Sequence, residues 1–140
     1  MRPHTRAGVT LLAYTSLLRA DTSGLAIAEE HRQTEKAIRA SGMPFVFLRN
    51  GWYIENHTDQ IPTILQHNAI VGAAGEGRFA SATRQDYADA AVAVLTRGSQ
   101  DNTVHELAGD DAFTLSEFAA ELSKQTDRTI IYKNLASEEY

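Results

Sequence analysis

Apolar and polar positions along the first half of the chain switch between strand-like and helix-like periods. An apolar run over residues 9–14, followed by two hydroxyl residues, predicts a buried parallel strand. Residues 25–40 contain neither Pro nor Gly and show helical spacing. Gly42 follows at the position where a glycine commonly ends a helix. A second apolar run, residues 45–48, predicts the next strand.

The second half of the chain continues this alternation. Thr83 with Asp86, and Thr114 with Glu117, have the spacing of a capping box, which marks the start of a helix. Apolar residues follow each pair at helical spacing; those of the first helix are Ala88, Ala91, Val92 and Leu95. The remaining predicted elements are a short helix at 61–65, an irregular loop at 72–77, and strands at 104–107 and 129–132.

Strands and helices in this order predict an α/β protein with a parallel sheet covered by helices. The apolar strand at 9–14 begins almost at Met1, although a central parallel strand needs a neighbour on each side. We therefore expect the chain to correspond to the interior of a larger protein. An open strand edge of this kind also favours self-association, so a homo-oligomer is compatible with the sequence.

Composition and charge narrow the function classes. The 140 residues are 43% hydrophobic and 22% charged, which is typical of one globular domain. A net charge of −5 argues against nucleic-acid and anionic-membrane partners, because both require clustered Lys and Arg. The absence of Cys excludes a thiolate zinc site and a cysteine nucleophile. The five histidines lack metal-ligand spacing, so we expect no metal.

The N-terminus imitates a secretory signal, because Arg2 and Arg6 precede an apolar run. Polar residues interrupt that run, and Arg19 lies where small cleavage-site residues belong. The sequence therefore favours a cytoplasmic protein, with export as the alternative. No apolar run approaches the roughly 20 residues that a membrane-spanning helix needs.

Candidate chemistry lies after the first two predicted strands. Thr15 and Ser16 end the first strand, and Lys36 lies on the helix that follows it. The segment 50–53, which contains the only Trp, follows the second strand. Open α/β sheets bind ligands at the carboxyl edge of their strands, which predicts that these groups share a site. A solvated helix face for Lys36, and core packing for Trp52, are the plainer interpretations.

A wider set of segments resembles the NmrA-like branch of the atypical short-chain dehydrogenases. The segments are Tyr14–Leu18, His31–Lys36, Leu48–Asn56, Gly72–Gly77, Ala80–Ala88 and Glu106–Asp110. Within that branch they are most similar to bacterial NAD(P)H:quinone oxidoreductases. The resemblance runs from about residue 8 to residue 140 in consistent order.

This resemblance implies a partial Rossmann-type sheet with part of a smaller C-terminal lobe. Residues 8–56 would be the second half of the Rossmann domain, and residues 57–140 a mixture of substrate lobe and returning strands. It implies hydride transfer from NADPH, with NADH as the alternative and no flavin, to a quinone. Lys36 would be a catalytic residue that holds the nicotinamide ribose, Thr15 would be a further cofactor contact, and Ser16 would be a catalytic, active-site hydroxyl. Asn50 and Gly51 would contact both cofactor and quinone; the other residues lining the quinone pocket would be Trp52, Tyr53, Ile54 and Glu55.

Two departures from the family pattern keep a second function open. In typical short-chain dehydrogenases the base is a Tyr four residues before the Lys; Arg32 stands at this position, and the NmrA-like branch also lacks that Tyr. The sequence also contains no glycine-rich strand-turn-helix that could cradle a pyrophosphate, since Gly75 and Gly77 follow no apolar strand. We expect a fragment with little activity of its own. A non-catalytic NAD(P)-binding regulator of the same branch is the alternative, and a structural remnant without activity is a third possibility.

Overall fold

The computed structural model describes residues 8–98, 101–136 and 138. In chain order its elements are β1 (Leu12–Leu17), α1 (Ala26–Ser41), β2 (Phe45–Asn50), α2 (Glu55–Thr58), α3 (Ile61–His67), β3 (Ala69–Gly72), α4 (Arg84–Thr96), β4 (Thr103–Leu107), α5 (Leu115–Thr126) and β5 (Ile131–Asn134). All the strand pairs between these elements are parallel. The predicted α/β class is therefore confirmed.

The chain divides into two compact units. The first contains Met1–Gly51 and Arg84–Ala108, and the second contains Trp52–Thr83 and Gly109–Tyr140. The sequence places a boundary after residue 56, whereas the structure places it after Gly51. Residues 84–108 return to the first unit because β4 hydrogen-bonds to β2.

The first unit contains a three-stranded sheet in the order β1-β2-β4. The central strand, β2, is buried along its whole length, and Phe47 and Leu48 are among the largest fully buried side chains. A strand with a neighbour on each edge and both faces covered reads as a continuous apolar run. This explains why the sequence predicts β2 well.

The first predicted strand is present, parallel and open along one edge, but the predicted bounds of 9–14 are three residues too early and the strand is not buried along its length. The strand β1 spans Leu12–Leu17, lies at the sheet edge in the described part of the chain, and alternates between exposed and less exposed residues. A side chain on one face of an edge strand is covered only where a helix packs against it. Tyr14 shows this, because its hydroxyl lies 2.8 Å from Nδ1 of His31 on α1.

The helix α1 begins and ends close to the predicted bounds. Gly42 has a φ of 70° and donates its N–H to the carbonyl of Arg39 at 3.2 Å, as expected of a glycine cap. The prediction for α4 is only half right. Its helix is present, but Val92 is 60% and Leu95 48% exposed, and Tyr87 is its buried residue.

The second unit packs α5 against a two-stranded sheet of β3 and β5. Its core residues are Ile64, Ile70, Leu115, Ala119, Leu122 and Ile130. The predicted capping box is confirmed, since Glu117 N donates to Thr114 Oγ1 at 3.1 Å and Thr114 N donates to Glu117 Oε2 at 2.7 Å. The sequence did not predict β3, and it placed β5 two residues too early.

Candidate functional site

The carboxyl ends of β1, β2 and β4 carry a row of polar side chains across the sheet of the first unit. Ser16 lies opposite Arg49 in register, and Arg49 lies opposite Glu106. Residues paired in this way point to the same face of a parallel sheet. Ser16 and Arg49 are each only 5% exposed, so the row brings a charged side chain into the interior.

Glu35 of α1 supplies the counter-charge for Arg49. Nε of Arg49 donates to Oε1 of Glu35 at 2.9 Å, and Nη2 donates to Oε2 at 2.7 Å, which makes a bidentate pair. Ser16 Oγ donates to the same Oε1 at 2.7 Å, and Arg49 Nη1 donates to Glu106 Oε1 at 2.7 Å. These four residues are called the Arg49 network below.

The Arg49 network holds Glu35 and Arg49 in their charged forms. Burial alone would raise the pKa of Glu35, but the hydrogen bonds from Arg49 and Ser16 outweigh it and hold that pKa below its usual range. Hydrogen bonds to Glu35 likewise raise the pKa of Arg49. The pair is therefore ionised at neutral pH.

The loop after β1 is fixed by the same set of elements. Arg19 N donates to Oε2 of Glu106 at 2.8 Å. Arg32 Nη1 donates to the carbonyls of Ala20 at 3.0 Å and Ser23 at 2.9 Å. Arg32, which occupies the position of the Tyr base of typical short-chain dehydrogenases, thus fixes this loop against α1.

The site residues predicted in the first unit do not all lie on the same face of its sheet. Ser16 belongs to the Arg49 network, so its hydroxyl is occupied by Glu35. Thr15, one residue earlier, points to the opposite face and is exposed. Lys36 is exposed and borders a polar cleft of about 480 Å³.

The donor set of this cleft fits one part of a dinucleotide. Its cations Arg32, Arg39 and Arg49 each have a carboxylate partner, whereas Lys36 forms no ion pair with a described residue. An ammonium group without a carboxylate partner suits the hydroxyls of a ribose. The hydroxyl of Ser16, which the resemblance makes an active-site group, does not donate to a ligand while Glu35 accepts its hydrogen.

Asn50 is the last residue of β2 and lies on the face opposite the Arg49 network, and Gly51 follows the strand. Gly51 N donates to the carbonyl of Leu107 at 2.8 Å. A Cβ at position 51 would lie 3.1 Å from that carbonyl oxygen and 3.1 Å from the hydroxyl of Tyr87. The close approach of these groups explains the need for glycine here.

The remaining predicted substrate residues, 52–55, belong to the second unit. Trp52 is 47% exposed. Ala82 holds the segment in an extended form, because its N–H donates to Trp52 O at 3.2 Å and its carbonyl accepts from Ile54 N at 2.9 Å. Tyr53 pairs with Ala82 as an isolated bridge, and Glu55 then begins α2.

Next to Trp52 the second unit contains a cavity of about 310 Å³, called the aromatic cavity below. Its lining residues are Trp52, Asn56, His57, Gln60, Ile64, Ile70, Val71, Gly72, Ala73, Ala74, Phe79, Leu115 and Phe118. His57 is 8% exposed, and burial lowers the pKa of its imidazole. Its ring centroid lies 5.0 Å from that of Phe79 and 5.7 Å from that of Phe118.

Sequence reasoning missed both the Arg49 network and the role of His57. One signal for the first was present: an Arg directly after four apolar strand residues needs a buried partner. Its partners lie 14 and 57 residues away, so spacing could not identify them. For His57 the local signal was weak, because three of its aromatic neighbours, Phe79, Phe113 and Phe118, come from distant segments.

The described residues contain neither a metal-binding group nor a membrane-spanning helix. No group of three or more His, Cys, Asp or Glu side chains there is arranged to hold a metal ion. None of the helices in the same part of the chain is long and apolar enough to cross a membrane.

Comparisons with known proteins point to one group. The chain is 50% identical over 134 residues to quinone oxidoreductase 2 of Escherichia coli, which covers 96% of this chain and 47% of the relative. The crystal structure of that NADPH-dependent enzyme complexed with NADPH matches with a TM-score of 0.93 and 49% identity, covering 98% of this chain and 48% of the other.

More distant relatives agree with this result. Triphenylmethane reductase of Citrobacter sp., complexed with NADP(H), matches with a TM-score of 0.85 and 32% identity over 96% of this chain and 47% of its own. An NmrA-like family domain-containing oxidoreductase of Aspergillus flavus is 23% identical over 96% of this chain and 45% of its own. No protein-family model matches the chain. The chain is therefore similar to NADPH-dependent and NmrA-like oxidoreductases, and it spans about half the length of the curated relatives it matches.

Proposed function

We propose that the chain supplies about half of an NAD(P)H-dependent quinone oxidoreductase, which transfers a hydride from NADPH to a quinone. The observation that carries this proposal is the 50% identity to the E. coli quinone oxidoreductase across 96% of this chain. NADPH is proposed as the cofactor, because the matching crystal structure is complexed with it. When bound, NADPH supplies the hydride, and no flavin is needed.

Lys36 is proposed to bind the nicotinamide ribose. Its exposure and its lack of an ion pair with any described residue support this role. Thr15 is proposed as a further cofactor contact, since its exposed side chain lies near the carboxyl end of β1. Ser16 acts differently: as a partner of Glu35 it would be a positioning residue that fixes α1 against the sheet, and with it Lys36.

The segment 50–55 is proposed to contact the nicotinamide and the quinone. Gly51 supports this, because it lets the chain turn away from β2 with no side chain at the strand end. Trp52 supports it through a half-exposed indole that provides a flat wall for a planar acceptor. Such an acceptor gains negative charge on an oxygen during reduction, which a nearby hydrogen-bond donor stabilises.

A chimera tests the proposed function. The chain is fused to the part of the E. coli relative that it does not match, and NADPH oxidation is followed with a quinone as acceptor. We expect Lys36→Ala to lower kcat/KM for NADPH by roughly 10- to 100-fold, since one charge-assisted hydrogen bond is worth about 1.5–3 kcal/mol. Lys124→Ala, an equal change on the exposed face of α5, is the control.

The outcomes of this assay separate the two functions that the sequence leaves open. A chimera that binds NADPH and reduces no quinone would contradict the enzyme and favour the regulator. If Lys36→Ala matches Lys124→Ala, Lys36 belongs to a solvated helix face instead. We expect Trp52→Ala to raise KM for the quinone and leave NADPH binding nearly unchanged.

The isolated 140-residue chain gives a second test by calorimetry. We expect negligible NADPH binding, because dinucleotide affinity rests largely on backbone N–H groups of a glycine-rich turn at a helix N-terminus, and the sequence contains no such turn. Micromolar binding by the chain alone would contradict this expectation.

A further inference from the structure

The aromatic cavity has the size and the walls of a small-molecule site. Its volume of about 310 Å³ lies at the lower end of the roughly 300–1,000 Å³ found for such sites. A one- or two-ring compound fits a volume of this order, whereas a ligand with a long tail does not. Phe79, Phe118 and Trp52 provide flat surfaces against which a ring can stack.

The chemistry of the lining selects an uncharged ligand. None of the residues that line the cavity is Asp, Glu, Lys or Arg. A phosphate or carboxylate would lose its hydration there and meet no counter-charge, which is costly. The polar groups are the amides of Asn56 and Gln60 and the imidazole of His57, so the cavity offers hydrogen bonds without charge.

His57 is the buried polar side chain of this lining, and one of its ring nitrogens is open to a ligand. Nε2 lies 3.4 Å from Ser81 Oγ, and no described residue hydrogen-bonds to Nδ1. Burial keeps the imidazole neutral by lowering its pKa. With the Ser81 hydroxyl donating to Nε2, the ring proton is on Nδ1, which then donates to an acceptor.

The loop after β3, which supplies Ala73 and Ala74 to the lining, is held in place without any ligand. Tyr132 Oη accepts from Ala74 N at 2.9 Å and donates to Asn134 Oδ1 at 2.8 Å. The same Oδ1 accepts from Gly75 N at 2.8 Å. This chain of bonds from β5 fixes the loop after β3, so the cavity is preformed and binding costs little ordering of the protein.

We propose that the aromatic cavity binds the ring of a one- or two-ring quinone, with His57 donating a hydrogen bond to a quinone oxygen. The choice of a quinone rests on the proposed function. The assignment of the cavity as a ligand site, and of His57 as a hydrogen-bond donor, rests on the geometry and the lining of the cavity. His57 is thereby a specificity residue that distinguishes a ring bearing carbonyl groups from a plain aromatic ring.

The chain as it exists is suited to a direct test, because Trp52 is its only Trp and lines the cavity. 1,4-Naphthoquinone is titrated into the 140-residue chain without NADPH, and quenching of Trp52 fluorescence is measured against free N-acetyltryptophanamide. The chain contains no Cys, so thiol adducts of the quinone do not contribute. We expect saturable quenching, with naphthalene binding about two- to tenfold more weakly than the quinone because it accepts no hydrogen bond.

Two matched variants test the role of His57. His57→Phe keeps an aromatic ring and removes the donor, and we expect it to weaken naphthoquinone binding about two- to tenfold while leaving naphthalene binding unchanged. His67→Phe makes the same change on the exposed end of α3, outside the cavity lining, and should alter neither. Circular dichroism checks that both variants fold.

These binding experiments test the aromatic cavity and His57 independently of the proposed NADPH-dependent activity. Linear, unsaturable quenching would overturn the assignment of the cavity, and equal affinities for quinone and naphthalene in the unchanged chain would overturn the role of His57. The second comparison requires no variant to fold. Because no NADPH is present, saturable binding together with a chimera that does not oxidise NADPH would contradict only the proposed function.

Discussion

The two units bury polar side chains in opposite ways. In the first, Arg49 is surrounded by carboxylates and donates to Glu35 through two nitrogens and to Glu106 through a third. In the second, His57 is surrounded by aromatic rings. Among the described residues its imidazole has one hydrogen-bonding contact, from Nε2 to Ser81 Oγ at 3.4 Å. A side chain with all its partners fixes the elements it connects. A side chain with an open nitrogen beside a cavity is available to a ligand.

This difference suits the Arg49 network to positioning other residues and the aromatic cavity to binding a ligand. The Arg49 network connects α1 with all three strands of the first sheet, so it sets where Lys36 lies. The aromatic cavity keeps space for a ring and a neutral donor beside it. Substitutions in the first region should therefore act mainly on stability, and substitutions around His57 mainly on binding.

The largest effect is expected at Arg49. Arg49→Met removes the bidentate partner of buried Glu35 and leaves it the Ser16 hydroxyl and a longer contact of 3.9 Å to Arg39. Removing one partner of a buried ion pair costs about 3–5 kcal/mol of unfolding free energy. Urea unfolding followed by circular dichroism, with hydrogen exchange of the β2 amides, measures the loss. Arg97→Met is the exposed control and should stay within about 0.5 kcal/mol of the unchanged chain.

A double variant sharpens this test. Glu35→Leu combined with Arg49→Met removes both charges and should recover a large part of the stability, because no unpaired charge is left inside. A double variant as unstable as Arg49→Met alone would contradict the idea that the unpaired carboxylate causes the loss.

The second unit should respond most strongly to a loss of apolar volume. Leu122 is 7% exposed in its core, and Leu122→Ala should cost about 2–5 kcal/mol through lost burial and the cavity that remains. Trp52 fluorescence during urea unfolding reports this unit. Leu95→Ala is the matched control, because Leu95 is 48% exposed. Similar losses in the two variants would mean that Leu122 is not a core residue.

Local signals explain which parts of the fold were predictable. The start of α5 and the glycine after α1 depend on residues three or four positions apart, so the sequence contained their whole cause. The strand β2 was equally clear, because both its faces are covered. The short strand β3 was missed, since four residues next to a glycine-rich loop give no periodicity.

The candidate site was less predictable, because its contacts join distant segments. Position along the chain correctly indicated the carboxyl ends of β1 and β2 as places where polar groups gather. It did not show that Ser16 would be occupied by Glu35, or that Arg32 would clamp a loop. Both facts depend on which face of α1 meets the sheet, and one residue on a helix turns a side chain by about 100°.

A smaller effect is expected at the start of α5. Thr114→Ala removes the acceptor for Glu117 N and should cost about 1 kcal/mol, as for other N-cap residues. Thermal unfolding measures the change, and Thr129→Ala, at an exposed site, is the control. Glu117→Gln should cost less than Thr114→Ala, because Gln also completes a capping box. The reverse order would show that the charge of Glu117 matters more than the box.

The smallest effect is a difference in how the two regions respond to acid. The folded-state pKa of His57 is lowered from 6.5 by burial, so below pH 6.5 the unfolded chain binds a proton that the folded chain does not. Its stabilising contribution is therefore lost as the pH falls from about 6.5 to the lowered folded-state pKa. Glu35 has a folded-state pKa below 4.5, because its bonds to Arg49 and Ser16 outweigh burial. Its contribution is present above 4.5 and disappears as the pH falls through that lower value.

Unfolding free energies measured between pH 8 and pH 3 should thus fall in two windows. His57→Phe should remove the upper one and leave the lower one, whereas Arg49→Met should weaken the lower one. His67→Phe should leave both in place. If the upper window persists in His57→Phe, the imidazole is not held neutral by its aromatic surroundings. His57 would then present the aromatic cavity with a charged donor below about pH 6.5 instead of a neutral one.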